Sequence, residues 1–375
     1  MMRLFEYEAK ELLSKYGISI PTKYYLASNS SEVKLINKPV VIKAQVLIGG
    51  RGKRGGIKEA RSTLEAKQII DNMIGTTIDN FIIKKVLIEK KLKIARELYI
   101  SVFVDRNKGV PLIMVSPYGG VDIEFVEKKN IFFRTVDPLI GLQKFIVRDL
   151  VQKFVLEKSL QKELENIIFS LYKIFKDYDA ELVEINPLVL TEEGKLVVAD
   201  TKVVVDDNAI YRQSKLQKLD MKDRKDLTDF ERKAFELGVT ATEMKGDIGI
   251  ITSGAGLLMA TADAIIYYGG EIGPVVDLGG AAFDTTPERI TKLISLLKNL
   301  KLKAILFSFF LQIGRCDILA QSISDSLGSI SENIPIVIRL KGNKDDLAKS
   351  ILSNKNFFLT DSFEEAVRKV VEKSK

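Results

Sequence analysis

The sequence contains no histidine, which removes the imidazole group from any chemistry that this chain performs alone. Its 375 residues also include no tryptophan and a single cysteine. Histidine is the usual general acid or base near neutral pH and the commonest metal ligand. A mechanism that needs an imidazole as general base, phosphoryl acceptor or zinc ligand must therefore obtain it from another molecule.

The scarcity of cysteine and the absence of long apolar runs narrow the class of protein further. Cys316 alone can form neither an internal disulfide nor a thiolate metal cluster. No apolar stretch approaches the roughly 18 residues that would span a bilayer. The first residues also lack the basic, apolar and small-residue order of a signal peptide. The sequence therefore predicts a cytoplasmic protein that has no membrane segment.

Positive charge is not concentrated in any one part of the chain. The formal net charge is +7, but the 57 Lys and Arg residues are interleaved with 50 Asp and Glu residues. No basic stretch carries the interleaved aromatic side chains on which nucleic-acid bases stack. This mixture is typical of a solvated surface, so we expect no nucleic-acid partner.

Apolar periodicity divides the chain into two predicted domains, residues 1–229 and 230–375. The first mixes predicted strands, such as residues 40–48, with a long helical pattern over residues 160–178, as in α+β domains. In the second, strands and helices alternate regularly through five units. Nearly continuous apolar strands followed by helices predict a parallel sheet of the flavodoxin type, covered on both faces. The polar segment 206–232 is typical of a domain boundary.

A glycine-rich stretch follows the predicted strand at residues 40–48. Residues 48–56 contain five glycines and three cations. The stretch is not a Walker A loop, because Arg54 stands where Ser or Thr would bind magnesium. Its amides and cations could close over phosphates, with Lys43 projecting from the strand before it. By itself the loop is equally compatible with a mobile basic turn.

The segment VEINPLVLTEEGKLVVADTK predicts a hairpin with a definite register. Its turn centres near residue 193, so residues whose numbers sum to about 386 face each other. Asn186 then faces Asp200 and Glu184 faces Lys202, with all four on one side of the hairpin. An amide oxygen and a carboxylate that face each other across two strands suit Mg²⁺, which takes few protein ligands. A polar stripe that faces solvent is the alternative.

Gly254 and Gly256 lie between a predicted strand and a predicted helix. Free amides at a helix N-terminus form an anion site, although a tight structural turn explains two glycines equally well. Met259 stands where a dinucleotide-binding fingerprint requires glycine. The sequence therefore does not support nicotinamide binding.

A series of short motifs occurs along almost the whole chain: LFEYEAKELLSKYGI, VIKAQVLIGGRGKRGG, RELYI with FVDR, EINPLV, SGAGLLM, RCD and RLKGN. Their order, and nearly their spacing, resemble those of the motifs in the beta subunit of succinyl-CoA synthetase (succinate–CoA ligase, nucleoside-diphosphate-forming). The resemblance covers about residues 3–372. It implies an N-terminal ATP-grasp fold and a C-terminal flavodoxin-like CoA-ligase domain, which agrees with the division made from periodicity.

The resemblance also implies which residues form the sites. It implies contacts with nucleotide phosphates, a contact region at the base and sugar end, two Mg²⁺ ligands and an acid-substrate pocket. The phosphate contacts would be Lys43, Gly50, Arg51 and Gly52. Glu89 and Glu97 would lie at the base and sugar end, with Leu92 in the same nucleotide site. Asn186 and Asp200 would bind Mg²⁺, and the acid would contact Ser253, Gln312, Ile313 and Gly314.

The resemblance gives the missing imidazole an explanation. In the family, ATP or GTP phosphorylates a histidine of the alpha subunit, which also binds coenzyme A. A carboxylic acid then takes the phosphoryl group as an acyl phosphate, and coenzyme A displaces it. No catalytic residue is therefore expected in this chain. The resemblance implies a heterodimer or heterotetramer with the alpha subunit, acting on a small dicarboxylic acid.

The chain departs from the family pattern in the acid pocket. Ser253 stands where the family has Asn, and Leu311 and Gln312 replace two glycines before the Arg-Cys-Asp motif. Side chains there fill space and remove the freedom of the backbone to approach a carboxylate. We therefore expect either succinate or a related acid such as malate. A non-catalytic assembly subunit is the alternative, although Lys43 and both metal-ligand residues are retained.

Overall fold

In a computed structural model the chain divides into two compact units, residues 1–226 and 227–375. The structure describes residues 2–21, 25–79, 81–217, 219, 227–279, 287–297, 300–326, 334–353 and 357–375. The division lies close to the predicted boundary between residues 229 and 230. Residues 220–226 of the predicted linker lie outside the described residues.

The first unit is an α+β assembly of two main antiparallel sheets. Its helices are α1 (Glu6–Lys15), α2 (Thr63–Met73), α3 (Lys144–Val151) and α4 (Lys158–Asp177). Its strands are β1 (Met2–Arg3), β2 (Tyr25–Ala27), β3 (Val40–Ala44), β4 (Ile57–Ala60), β5 (Thr77–Ile78), β6 (Phe81–Ile82), β7 (Val86–Lys90), β8 (Ile94–Asp105), β9 (Val110–Ser116), β10 (Phe132–Thr135), β11 (Ala180–Thr191), β12 (Leu196–Val198) and β13 (Thr201–Val205). Short 3₁₀ turns occupy Ser30–Glu32, Ile123–Phe125, Lys128–Asn130, Gln152–Phe154 and Asp207–Arg212.

The larger sheet has the order β1-β13-β11-β8-β9-β10, with β12 paired to β11. Helix α4 packs on this sheet, because its buried residues recur every three or four positions, as expected for an amphipathic helix. These residues are Leu164, Ile167, Ile168, Leu171, Ile174 and Phe175. They join the buried residues of β8, β11 and β13 in one core cluster.

The smaller sheet of the first unit has the order β2-β7-β3-β4 and its own core cluster beneath α2. The glycine-rich stretch connects the antiparallel strands β3 and β4. Strand β3 ends at Ala44, earlier than the predicted end at residue 48. The connection to β4 therefore begins at Gln45, and its residues Gln45, Val46 and Leu47 are buried.

The second unit consists of one mixed sheet with helices around it. Its strands are β14 (Thr240–Thr242), β15 (Ile248–Thr252), β16 (Ile272–Asp277), β17 (Ala304–Leu311), β18 (Ile336–Gly342) and β19 (Phe358–Thr360). Its helices are α5 (Asp229–Glu236), α6 (Ala255–Tyr267), α7 (Pro287–Leu297), α8 (Cys316–Ser326), α9 (Asp345–Leu352) and α10 (Phe363–Lys373).

The five predicted strands of the second unit pair in parallel in the order β16-β15-β17-β18-β19. Numbered along the chain, this order is 2-1-3-4-5, as in flavodoxin, so the predicted architecture is confirmed. The sequence prediction missed β14, which pairs antiparallel with β16 at the sheet edge. Among the described helices of both units, none combines the length and apolar composition needed to cross a membrane.

Candidate active site

A cavity of about 570 Å³ lies in the first unit, bounded by the glycine-rich loop, both main sheets and the loop that follows β9. This volume is in the range of small-molecule sites. All the residues that the sequence suggested for nucleotide and metal line it: Lys43, Gly50, Arg51, Gly52, Glu89, Leu92, Glu97, Asn186 and Asp200. The structure thus brings together in one space residues that are far apart in the sequence.

The predicted register of the hairpin is confirmed. Strand β11 pairs with β13 so that Glu184 faces Lys202, and the amide of Asn186 donates to the carbonyl of Asp200 at 3.0 Å. Leu188 faces Val198 in the same register. Asn186 and Asp200 consequently lie side by side at the wall of the cavity. Their role as metal ligands stays a prediction.

The carboxylate of Asp200 is paired with the guanidinium of Arg51. Arg51 Nη2 lies 2.8 Å from Asp200 Oδ1 and 3.0 Å from Oδ2. The same Nη2 lies 2.8 Å from Glu6 Oε2, while Nη1 donates to the carbonyl of Ala44 at 2.9 Å. Burial opposes the charge on Arg51, but Asp200 and Glu6 outweigh it and raise the pKa of the guanidinium. Arg51 is therefore held charged between two acids.

The ammonium group of Lys43 is held by three acceptors. Its Nζ lies 3.0 Å from Glu6 Oε1, 2.5 Å from Glu89 Oε1 and 2.6 Å from the carbonyl of Ala199. Burial favours the neutral amine, but Glu6 and Glu89 outweigh it and raise the pKa of Lys43. Glu89, expected at the base and sugar end, lines the cavity with its carboxylate against this lysine.

Glu6 and Lys10 of helix α1 belong to the same cluster of charges, and sequence reasoning missed both. Lys10 Nζ lies 2.8 Å from Glu6 Oε1 and 2.6 Å from Glu89 Oε2. Burial raises the pKa of Glu6, but nearby cations, Lys10 first, outweigh it and hold that pKa well below its usual range. The sequence did carry a signal: Glu6, Ala9, Lys10 and Leu13 form an i, i+3, i+4, i+7 stripe, and all four are buried.

The glycine-rich loop turns tightly around Arg51. The amides of Lys53, Arg54, Gly55 and Gly56 all donate to carbonyls within the loop. The amides of Gly50, Arg51 and Gly52, by contrast, have no acceptor within the described part of the chain. These three residues line the cavity. Adjacent unbonded amides that face a cavity form a concave anion site.

The loop after β9 covers the opposite side of the cavity. The amide of Gly120 donates to Asn186 Oδ1 at 2.8 Å, and Asn186 Nδ2 donates to the carbonyl of Val121 at 2.9 Å. Gly120 has a positive φ of 76°, and a Cβ there would meet the carboxylate of Glu97. Lys53 forms an ion pair with Asp122 at 2.7 Å. This pair links the two loops across the cavity.

Glu184 and Tyr99 form a further polar pair at the cavity. Tyr99 donates its hydroxyl to Glu184 Oε2 at 3.2 Å, and both residues line the cavity. Burial raises the pKa of the Glu184 carboxyl, and burial together with the charge of Glu184 raises the pKa of Tyr99. Burial also raises the pKa of Glu97. Within the described residues, no three acidic or cysteine side chains are grouped to hold a metal ion.

The residues predicted to contact the acid lie in the second unit, at the carboxyl ends of two neighbouring parallel strands. Ser253 follows β15, and Gln312, Ile313 and Gly314 follow β17. These strands flank the position where the strand order reverses, which is where ligands bind in such sheets. Ile313 is 83% exposed, whereas Gly314 is buried. Their contacts with the acid stay a prediction.

The expected free amide at Gly254 is already bonded. Asp277, at the end of β16, accepts from the amides of Gly254 at 2.6 Å and Gly279 at 2.7 Å. This corrects the expectation for Gly254. Asp277 also begins a row of polar residues in register across the parallel sheet, a row that continues with Thr252, Ser308, Arg339 and Thr360.

Two hydroxyls of this row are buried without partners. Thr252 and Ser308 are both fully buried, and neither side-chain oxygen has a hydrogen-bond partner among the described residues. The hydroxyl of Ser253 is unpaired in the same way. The carboxyl edge of this sheet thus holds neutral hydrogen-bonding groups that nothing in the described chain satisfies.

Comparison with known protein families gives two matches along the chain. A family model described as the ATP-grasp domain matches residues 3–190. A family model described as CoA-ligase matches residues 251–371. The first covers most strands of the two antiparallel sheets and most residues that line the cavity, and the second covers β16 to β19 of the parallel sheet, in agreement with the fold expected from the sequence.

Curated relatives match over the full length of the chain. A succinate–CoA ligase (ADP-forming) subunit beta of Pyrobaculum aerophilum is 40% identical, over 99% of both chains. A protein named succinate–CoA ligase (ADP-forming) subunit beta 2, from Archaeoglobus fulgidus, is 37% identical over 99% of this chain and 98% of its own. Among solved structures, an ATP citrate lyase from Methanothrix soehngenii, in complex with citrate and coenzyme A, has a TM-score of 0.77. It is 19% identical and covers 99% of both chains, so it supports the fold alone.

Proposed function

The chain belongs to the family of beta subunits of ADP-forming succinate–CoA ligase, and on this premise we propose that its first unit binds ATP with Mg²⁺. In the ligase reaction, a carboxylic acid, coenzyme A and ATP give an acyl-CoA, ADP and phosphate. The observation that supports the proposal is the cavity, which is lined by Lys43, by Arg51 and its two neighbouring glycines with their unbonded amides, and by the oxygen-bearing side chains of Asn186 and Asp200. A nucleoside triphosphate with its cation needs all three kinds of group.

Two side chains of the hairpin would hold the cation, Asn186 through Oδ1 and Asp200 through its carboxylate. Their chemistry fits Mg²⁺, which prefers oxygen ligands and keeps positions for phosphate and water. Both oxygens have protein partners, namely the amide of Gly120 and the guanidinium of Arg51. The bound cation would neutralise phosphate charge, and these two partners would then be released.

Lys43, Arg51 and the amides of the glycine-rich loop would act by charge neutralisation and positioning. Phosphoryl transfer passes through a loose transition state whose charge is spread over phosphate oxygens. Fixed donors in a site shielded from water stabilise that charge without reorganisation. Although burial opposes their charge, both Lys43 and Arg51 have raised pKa values because of the acids around them. They therefore remain charged near neutral pH and transfer no proton.

We infer that an alpha subunit completes the enzyme. This chain contains no histidine, so a phosphoryl-accepting imidazole would have to come from a partner. The relatives that match over the full length are named as beta subunits. The partner would carry the histidine and the coenzyme A site, in a heterodimer or heterotetramer. A cytoplasmic location, expected from the sequence, is part of the same proposal.

The acid would bind at the carboxyl edge of the parallel sheet, near Ser253 and residues 312–314. Leu311 is buried there and Gln312 is exposed, at the two positions where the family pattern has glycines. The unpaired hydroxyls of Thr252 and Ser308 lie in the same edge. Succinate is the first candidate, and a related dicarboxylic acid such as malate is the second.

Two measurements test the proposal. Calorimetry on the full chain is expected to show binding of Mg-ATP without its partner. With the partner, coenzyme A and a panel of dicarboxylic acids, we expect ADP and an acyl-CoA in equal amounts. If the chain binds no nucleotide, or if no acid gives ADP with a partner that is phosphorylated by another beta subunit, the proposal is wrong. A non-catalytic assembly subunit has no reason to bind Mg-ATP, so the absence of binding would favour that alternative.

A further inference from the structure

Lys10 is completely buried on helix α1 and does not line the cavity. Its ammonium nevertheless shares every acceptor of Lys43. Lys10 Nζ lies 2.8 Å from Glu6 Oε1, 2.6 Å from Glu89 Oε2 and 2.7 Å from the carbonyl of Ala199. An ammonium has three N–H donors, so both lysines are saturated by the same three groups. Lys10 stands behind Lys43, on the side away from the cavity.

This duplication matters once Lys43 has to leave its partners. A lysine that contacts a nucleotide phosphate must give up acceptors, because all three of its donors are in use. Two buried carboxylates without a counter-ion are strongly unfavourable. With Lys10 in place, Glu6, Glu89 and the carbonyl of Ala199 keep a cationic partner when Lys43 turns to the phosphate.

Glu6 plays the corresponding part for Arg51. Arg51 is shared between Glu6 Oε2 and Asp200, both at 2.8 Å. When Asp200 binds a cation, Arg51 loses one acid and keeps the other. Glu6 therefore contacts all three cations of the cluster, Lys10, Lys43 and Arg51. The cluster contains three acids and three cations, so its net charge is zero.

We propose that Glu6 and Lys10 are positioning residues for nucleotide binding, and that they keep the buried acids compensated while Lys43 and Arg51 exchange their partners for phosphate. This inference rests on the proposed function of the cavity. It assigns to helix α1 a role in the reaction. Lys10 would act through Lys43, without contacting the reacting phosphate itself. A cluster kept only for stability has little reason to be ionic, because buried ion pairs are commonly replaced by apolar residues without loss.

The experiment compares the full-length wild-type chain with Lys10→Met, Lys10→Arg and a control, Lys15→Met, at an exposed position of the same helix. Calorimetry measures the Kd for ATP, and thermal unfolding measures stability. In Lys10→Met, Lys43 becomes the sole counter-ion of Glu89, while Glu6 keeps only Lys43 and Arg51, so we expect the Kd to rise by about tenfold or more. Lys10→Arg keeps the charge and is expected to recover most of the affinity. Lys15→Met should bind ATP as wild type does.

Kinetics with the partner subunit separate positioning from a structural role. If Lys10 acts through Lys43, Lys10→Met raises KM for ATP and lowers kcat, while KM for coenzyme A and for the acid stays unchanged. A structural role would lower the amount of folded enzyme and hence the apparent kcat, without moving any KM. Wild-type KM for ATP and wild-type Kd in a folded Lys10→Met variant would overturn the proposal.

A second pair of variants keeps the test decisive if Lys10→Met does not fold. Lys10→Met combined with Glu89→Gln removes one cation and one acid, so it preserves the charge balance of the cluster. Compared with Glu89→Gln alone, the double variant is expected to bind ATP several-fold more weakly, because Glu6 then keeps only Arg51 when Lys43 turns to the phosphate. Equal affinity in these two variants would contradict the proposal. Failure of wild type itself to bind ATP would instead contradict the proposed function.

Discussion

The cavity of the first unit and the carboxyl edge of the parallel sheet in the second unit both bury polar side chains, but they satisfy them differently. In the cavity, Lys10, Lys43 and Arg51 are bonded to Glu6, Glu89 and Asp200 at 2.5 to 3.0 Å. At the sheet edge, the hydroxyls of Thr252 and Ser308 are fully buried and have no partner in the described chain.

The difference shows two ways of preparing a polar site. Charged groups are too costly to bury alone, so the cavity pairs each of them with an opposite charge, which the proposed ligand would have to displace. A neutral hydroxyl costs much less to bury unpaired, so the sheet edge can keep hydrogen-bonding groups unpaired. On the proposed function, binding at the cavity would therefore be an exchange of partners, whereas a ligand at the edge would displace no partner of these hydroxyls.

The largest effect is expected from removal of the Asp200 carboxylate. Asp200→Ala removes a proposed cation ligand and leaves Arg51 paired only with Glu6, so turnover should fall about a thousandfold. The assay is ADP formation by the complex with its partner subunit. Asp71→Asn, at an exposed position on helix α2, is the matched control. An unchanged rate in a folded Asp200→Ala variant would refute the assigned role.

Arg51→Gln tests whether the cavity works by exchange. This change removes a phosphate contact, so ATP affinity should fall about tenfold to a hundredfold, the range for one charge-assisted hydrogen bond. The same change frees Asp200, so the nucleotide-free chain should bind Mn²⁺ more tightly. Titration with Mn²⁺ alone and with ATP alone measures the two effects separately. If both affinities fall together, Arg51 does not compete with the cation.

Thr252→Val tests whether the buried hydroxyls of the sheet edge are unpaired. Replacing an unpaired buried hydroxyl by a methyl group of similar shape should raise the free energy of unfolding by about 1 kcal/mol. Lys43→Met at the cavity should lower it by about 2 kcal/mol, because two buried acids each lose one charged hydrogen bond but keep Lys10 as a partner. Denaturant unfolding of both variants measures the contrast. A destabilised Thr252→Val variant would show that the hydroxyl is satisfied in solution.

The smallest effect concerns an exposed ion pair of the second unit. Hydrogen bonding from Arg315 lowers the pKa of Asp317 from its ordinary value of 3.8 to about 2. Because the folded-state pKa is lowered, the contribution of Asp317 to stability is present above pH 3.8 and is lost as the pH falls to about 2. Carboxyl titration by NMR should locate this pKa, and Arg315→Gln should return it toward 3.8. An unchanged pKa in that variant would exclude Arg315 as the cause.

Local patterns in the sequence predicted much of the fold and part of the site. The turn at Thr191 to Lys195 set the register of the hairpin, since each strand position has one partner once the turn is known. Regular strand and helix alternation predicted the parallel sheet. Short β14, whose three residues are Thr240, Ala241 and Thr242, carries no apolar pattern and was therefore missed.

Long-range pairing of charges could not be predicted from the sequence. Arg51 and Asp200 are 149 residues apart, and Lys10 and Glu89 are 79 apart. No periodicity connects such positions, because their contact depends on how two sheets and helix α1 enclose the cavity. The stripe of Glu6 and Lys10 among buried positions of α1 indicates burial of charge, but not which residues compensate it. The sequence thus suggested which side chains would contact a ligand, but not which protein groups these side chains are bonded to in the structure.

The glycines at 119 and 120 limit how this protein can diverge. A side chain at Gly119 would collide with the backbone of Leu98, and one at Gly120 would push aside the carboxylate of Glu97. The neighbouring Val121 already carries a side chain, which is exposed. Single substitutions can therefore change the exposed part of this loop. Substitutions at the two glycines, where the loop approaches β8 most closely, require a compensating change in that strand.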